Sequence, residues 1–214
     1  MRYLYSTLFI ILLPLISNAQ LSKGLKQVGG VFTASQYQEE NEYEIGNSFL
    51  IDKSIIREIS IIPNLGFFIK DNTSLGLGIG YKNSFESYEY NSRKFDRESN
   101  LVEVKVFARF HKPVTESFYL FIQPMVKTSF GVGKNIDEDK ENILGLGVGV
   151  TPGIVYMLSK KVGLEASFGF IGYDQETRTL KEPALDSNPK NVTKDYGIDL
   201  SLKTLQLGLQ FYFE

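Results

Sequence analysis

A period of two constrains this chain more than any other feature. In "LVEVKVFARF" (101–110), Val102, Val104, Val106, Ala108 and Phe110 alternate with Glu103, Lys105, Phe107 and Arg109. Residues so spaced leave an extended strand on opposite sides, whereas a helix would scatter them. The pattern recurs. In 118–132, Phe118, Leu120, Ile122, Val126, Phe130 and Val132 face away from Tyr119, Gln123, Met125, Lys127 and Ser129. In 144–156, Leu144, Leu146, Val148, Val150, Ile154 and Tyr156 oppose Gly145, Gly147, Gly149, Thr151 and Gly153. In 205–213, Leu205, Leu207, Leu209, Phe211 and Phe213 oppose Gln206, Gly208, Gln210 and Tyr212.

Read this way, the chain is all-β. Eight strands are expected over 24–38, 54–70, 75–87, 100–111, 117–133, 143–158, 162–173 and 201–213. No stretch has a convincing helical period, and no linker divides the 214 residues, which suits one domain. The stretches between the strands alternate in length. "DNTS" (71–74), "KPVTE" (112–116) and "SKK" (159–161) are short, while 39–53, 88–99 and 174–200 are long and polar, with 134–142 intermediate. Short turns on one side and longer loops on the other are the mark of an antiparallel up-and-down barrel in an outer membrane. Both termini then fall on the short-turn, periplasmic side.

Period alone does not say which face is inside. The interior of an eight-stranded barrel is just wide enough for side chains to fill it. Four or five large apolar residues from every strand would not fit there, so that face belongs against lipid. The mixed face of glycine, polar and charged residues then lines the lumen. This reading also explains "SLGLGIGY" (74–81), where Gly76, Gly78 and Gly80 alternate with Leu75, Leu77, Ile79 and Tyr81. A phosphate-binding loop needs successive N–H groups turned on one anion, usually at a helix start. These glycines are extended, share one face and open no helix. They leave room in a narrow lumen for longer side chains from other strands.

The first residues, "MRYLYSTLFIILLPLISNAQ", carry one positive charge at Arg2, an apolar core near 8–16, and small residues Ser17 and Ala19 before Gln20. They read as a cleaved secretory signal peptide over 1–19, leaving a barrel domain over 20–214. The apolar core is shorter than the ~20 residues of a spanning helix. The formal charge of −2 gives no broad basic surface for nucleic acid, and the absence of cysteine removes disulfides, thiolate metal sites and a cysteine nucleophile.

Two stretches resist a simple reading. Pro63, Pro124 and Pro152 fall inside strands, where a closed barrel offers no edge, and so are expected at bulges or beyond the membrane. "QVGGVFTAS" (27–35) does not sort into two faces.

The stretch "IIPNLGFFIKDNTSLGLGIGY" (61–81), the hairpin "VFARFHKPVTESFYLFIQP" (106–124) and the aromatic end "LGLQFYF" (207–213) carry a family likeness. On these the chain resembles the small OmpA/OmpX-like outer membrane β-barrel proteins of Bacteroidetes-type bacteria. The resemblance implies an integral outer membrane barrel set in lipid and lipopolysaccharide and inserted by the barrel-assembly machinery. Glu214 after the last Phe departs from the usual terminal signal.

The lumen face collects Glu58, Glu103, Lys105, Arg109, Lys127 and Glu165, three of each sign. They are expected to form a paired network that fills the bore, since buried charges persist only when paired. An open ion path is the alternative. His111, the sole histidine, abuts the short turn at 112–116, far from where a lipid-modifying enzyme would work, and reads as an interfacial or turn residue. Phe67, Phe68, Phe118, Tyr119, Phe211, Tyr212 and Phe213 read as an aromatic girdle on the same side. Tyr43, Tyr88, Tyr90 and Tyr196 stud the long loops. "DEDKE" (137–141) lacks the spacing of a calcium loop. The expectation is therefore a non-enzymatic barrel with no cofactor or metal, acting structurally or through loops 39–53, 88–99 and 174–200. A small pore for ions or solutes, or a component of a secretion system, stands as the alternative.

Overall fold

The structure, a computed structural model, describes residues 21–45, 48–90, 93–135, 137, 139–181, 190–199 and 205–214. The expected signal peptide lies outside them. The strands are β1 (Lys26–Ile45), β2 (Ser48–Lys70), β3 (Thr73–Tyr90), β4 (Arg93–Pro113) and β5 (Phe118–Lys134). They continue with β6 (Lys140–Ser159), β7 (Val162–Ser167), β8 (Phe170–Leu180), β9 (Lys190–Asp199) and β10 (Gln206–Phe213). Strands β1 to β7 pair antiparallel with their sequence neighbours, and β10 joins β7 back to β1. The result is a closed eight-stranded ring of up-and-down topology.

The expected seventh strand, 162–173, is two strands. β7 and β8 both lie on β6, but Gly153 pairs with Ser167 while Val150 pairs with Ile171, a shift of one residue. The break falls at Phe168–Gly169, where Gly169 takes a positive φ of 78° and Phe168 N–H bonds to the Pro152 carbonyl at 3.2 Å. The extra residue flips the inward parity from odd (Glu165, Ser167) to even (Phe170, Asp174). At the other two prolines the expected bulge is absent. The β2–β3 and β4–β5 ladders resume in the same register beyond Pro63 and Pro124. The expected eighth strand, 201–213, appears as β10, and residues 201–204 lie outside the described residues.

The long loops are also corrected. Residues 39–45, 48–53, 88–90 and 93–99 are strand, so 39–53 and 88–99 are mainly continued hairpins, and β8 and β9 extend into 174–200 in the same way. Cross-strand partners such as Tyr88 with Phe95, Glu89 with Lys94 and Glu86 with Arg97 explain why polar sequence stays extended. β2 has 23 residues. At ~3.3 Å per residue that is ~75 Å of strand, against an apolar band about 25 Å tall. Much of each hairpin therefore stands clear of the band. Among the described residues, β9 pairs only with β8, and β1 beyond Phe32 only with β2, so the ring is closed by β1 and β10 over Lys26–Phe32.

The apolar face points outward, as the volume argument requires. Val102, Val106 and Phe110 of β4, Leu75, Leu77 and Ile79 of β3, and Leu144, Leu146 and Val148 of β6 are all exposed. On β4 this face runs over 102–110, between outward Asn100 and Lys112, which matches the ~9–11 residues of a membrane-crossing strand. Its upper edge is marked by Asn83 Nδ2 donating to Asn100 Oδ1 at 2.9 Å. β1, unsorted by sequence, turns Gln27, Val31 and Thr33 inward and Val28 and Phe32 outward.

Candidate functional site

The lumen has two parts. Its short-turn half is filled. Phe68, Tyr119, Phe121, Val155, Met157 and Tyr212 form an apolar core inside the barrel, with Leu21 inserted among them. Leu21 is held by the backbone bonds of its segment: its carbonyl accepts from Asn72 N–H at 2.7 Å, and Gly24 N–H, three residues on, donates to the Phe68 carbonyl at 2.9 Å. The chain entering β1 thus caps the short-turn mouth. His111 belongs to this stopper and not to the interface. Its ring stacks on Phe68 at 5.6 Å and meets Tyr119 edge-on at 6.5 Å. The inward parity of Arg109 carries over to His111 two residues on. The expected girdle divides by the same parity: Phe67, Phe211 and Phe213 face out, while Phe68, Tyr119 and Tyr212 are buried inside.

Above the aromatics lies a polar layer. Arg109 from β4 donates through Nη1 to Glu165 Oε2 at 2.8 Å and through Nη2 to Oε1 at 3.0 Å, a fork-to-fork pair across the bore from β7. Both side chains are 2% exposed. Gln123 Oε1 accepts from Arg109 Nε and Nη2 at 3.0 and 2.6 Å, and Gln210 Nε2 donates to Glu165 Oε2 at 2.9 Å. The guanidinium also lies 4.4 Å from the Phe121 ring centroid. Arg109 and Glu165 are matched and hydrogen-bonded, as charges buried this deeply must be.

The six lumen residues do not form one network. Arg109 and Glu165 pair with each other. Glu58 pairs with Lys82 at 2.7 Å, and Lys127 pairs with Asp174 at 2.5 Å. Glu103 and Lys105 have no ion-pair partner among the described residues. Asp174 was not identified from sequence because it was expected as the first residue of the loop 174–200; it lies instead within β8, and the shift at Gly169 turns it inward. Above the polar layer the lumen opens into a recess of about 470 Å³ toward the long hairpins.

The alternating glycines are seats for these side chains. A Cβ at Gly76 would run into the Phe107 ring, and one at Gly78 would lie 3.0 Å from Lys105 Cε. Gly147 likewise leaves the space that Lys127 Cε occupies, a would-be approach of 2.6 Å. Each glycine sits directly across the ladder from the residue it accommodates: Gly76 from Phe107, Gly78 from Lys105, Gly147 from Lys127. Of the loop tyrosines, Tyr88 and Tyr196 are exposed, and Tyr43 and Tyr90 lie outside the described side chains.

No protein-family model matches the chain, and no curated protein matches it. Among solved structures, the outer membrane protein OprG from Pseudomonas aeruginosa is similar over 92% of this chain and 99% of its own, at 13% identity and a TM-score of 0.54. The N-terminal β-barrel domain of Pseudomonas aeruginosa OprF overlaps 90% of this chain and 99% of its own, at 14% identity and a TM-score of 0.43. A major outer membrane protein from Thermus thermophilus overlaps 88% of this chain and 99% of its own, at 15% identity and a TM-score of 0.42. The likeness to OprG is one of fold, at an identity too low to carry a role. The fold is that of a small outer membrane β-barrel protein.

Proposed function

We propose that this chain is a non-enzymatic integral outer membrane barrel, of the kind found in Bacteroidetes-type bacteria, that does not conduct. The Arg109–Glu165 layer over the aromatic stopper carries this reading, because a buried, matched ion pair and a capped mouth fill the short-turn half of the bore. The outward apolar belt suits lipid and lipopolysaccharide. The short turns and both ends of the barrel are assigned to the periplasmic side, and the long hairpins to the outside, where 39–53, 88–99 and 174–200 are available to an envelope or extracellular partner. His111 packed among aromatic rings supports a structural role for that residue over a catalytic one.

Reconstitution of the refolded protein in planar bilayers tests this. A silent membrane is expected, with folding verified by heat-modifiable gel mobility. Steady ohmic steps from folded protein would refute the closed lumen and favour a pore for ions or small solutes.

A further inference from the structure

The glycines of the described strands face the lumen with one exception. Gly30 of β1 faces outward, on the side of Val28 and Phe32. Its ladder partners are Leu209 on β10 and Pro63 on β2, and Phe32, Ile61, Leu207 and Phe211 stand around them. Large side chains thus surround a position that has none. The notch left in the apolar belt has a volume of about 500 Å³. An empty hollow forfeits the dispersion contacts of its walls, so on a surface that meets hydrocarbon an acyl chain fills it better than water.

Below the notch lies a collar of cations. The short-turn rim carries Lys23, Lys26, Lys70, Lys112, Lys160 and Lys161 against Asp71, Glu116 and Glu214. None of these six lysine side chains has an ion pair or hydrogen bond among the described residues. Lys26 is exposed, on the same outward face as Gly30 and four residues before it. Four residues are ~13 Å of strand, or ~10 Å of depth at the usual tilt, against ~12 Å for half of the apolar band. A chain hanging from a head group at Lys26 therefore reaches the notch within one leaflet. Lys161 stands on the far side of β10, where its carbonyl accepts from Tyr212 N–H at 2.8 Å, while Lys26 pairs with Phe213 on the near side. Two strand spacings of ~4.8 Å set the two backbones ~10 Å apart, so both ammonium groups can reach one phosphate.

From this layout we infer that the outer face of the β1–β10 seam binds an anionic glycerophospholipid of the leaflet on the short-turn side, its phosphate between Lys26 and Lys161 and one acyl chain in the notch at Gly30. The site needs only an outward belt that meets lipid, whichever way the barrel faces and whether or not the lumen conducts.

The chain has no tryptophan, so one placed beside the notch reports alone. Phe211→Trp lies at the notch, and Ile122→Trp, outward on β5 at the opposite side of the ring, is the reference. Each refolded variant is reconstituted in phosphatidylcholine vesicles with rising fractions of chain-brominated phosphatidylglycerol or phosphatidylcholine, and quenching gives the relative affinity of the two lipids. Quenching of Ile122→Trp by both lipids marks an inserted barrel and so separates failure to enter lipid from absence of the site. Phosphatidylglycerol is expected to be favoured about fivefold at Phe211→Trp, the factor that one lysine beside an anionic lipid supplies, and little at Ile122→Trp. Added to Phe211→Trp, Lys26→Gln is expected to remove the preference, and Gly30→Val, which fills the notch, to weaken it, with the fold verified by gel mobility. Equal affinities at the two reporter positions would overturn the inference, as would a preference that survives both substitutions. Loss of quenching by both lipids at Phe211→Trp alone would place a second copy of the chain on the notch and overturn it too.

Discussion

Replacing Glu165 with Ala isolates the element that closes the barrel. The substitution leaves Arg109 buried with its guanidinium facing Gln123 alone, after losing two charge-assisted bonds of 2.8 and 3.0 Å. It also strips Gln210 Nε2 of its acceptor. Both partners are 2% exposed, so solvent screening does little to soften the loss. Removing one member of a buried pair costs ~3–5 kcal/mol, whereas replacing both with apolar residues of similar volume is often near neutral. Glu165→Ala is therefore expected to lose ~3–5 kcal/mol, and Arg109→Met with Glu165→Leu to recover most of it. Urea titration in lipid vesicles, followed by tyrosine fluorescence and gel mobility, gives both numbers. A Glu165→Ala loss under ~1 kcal/mol would refute the dry pair. So would a double variant no better than the single, because the cost would then not come from an orphaned charge.

The glycine seats give a graded series. Gly76→Ala drives a Cβ into the Phe107 ring and to 2.7 Å from the Leu65 carbonyl, and should cost ~1–3 kcal/mol as overpacking. Gly78→Ala meets side chains alone, the flexible Lys105 stem at 3.0 and 3.1 Å and Ile62 Cγ2 at 3.3 Å, and should cost clearly less in the same urea assay. Val126, 60% exposed on the outward face of β5, should lose ~2–4 kcal/mol on change to Lys if that face meets lipid. Lys112→Ala, at the edge of the belt, should change little. Beyond the belt, Lys94 Nζ bonds Asp96 Oδ2 at 3.0 Å and, with Ser87, holds its carboxyl below the ordinary aspartate range. Such a contact is present at neutral pH and is lost as pH falls through the lowered value. Lys94→Ala should move the Asp96 titration upward by NMR.

Sequence alone carried the strand faces. Val102 to Phe110, Leu144 to Val148 and Leu207 to Phe213 are outward in the fold because a period of two fixes side relative to neighbours, and the bore of eight strands is too narrow for the larger set. It also carried the meaning of the glycines, whose alternation shows that one face needs room. Tertiary structure decided what fills that room. The partner of Arg109 is Glu165, 56 residues away in sequence, chosen by ring closure across the bore. The one-residue shift opposite Pro152 turned Asp174 inward, and the polar stretches expected as loops became hairpins because a neighbouring strand was there to pair with. His111, from the middle of the chain, entered the stopper with Leu21 from the segment before β1. Each of these depends on which distant strands meet and in what register, and backbone hydrogen bonding accepts many registers that a local pattern cannot tell apart.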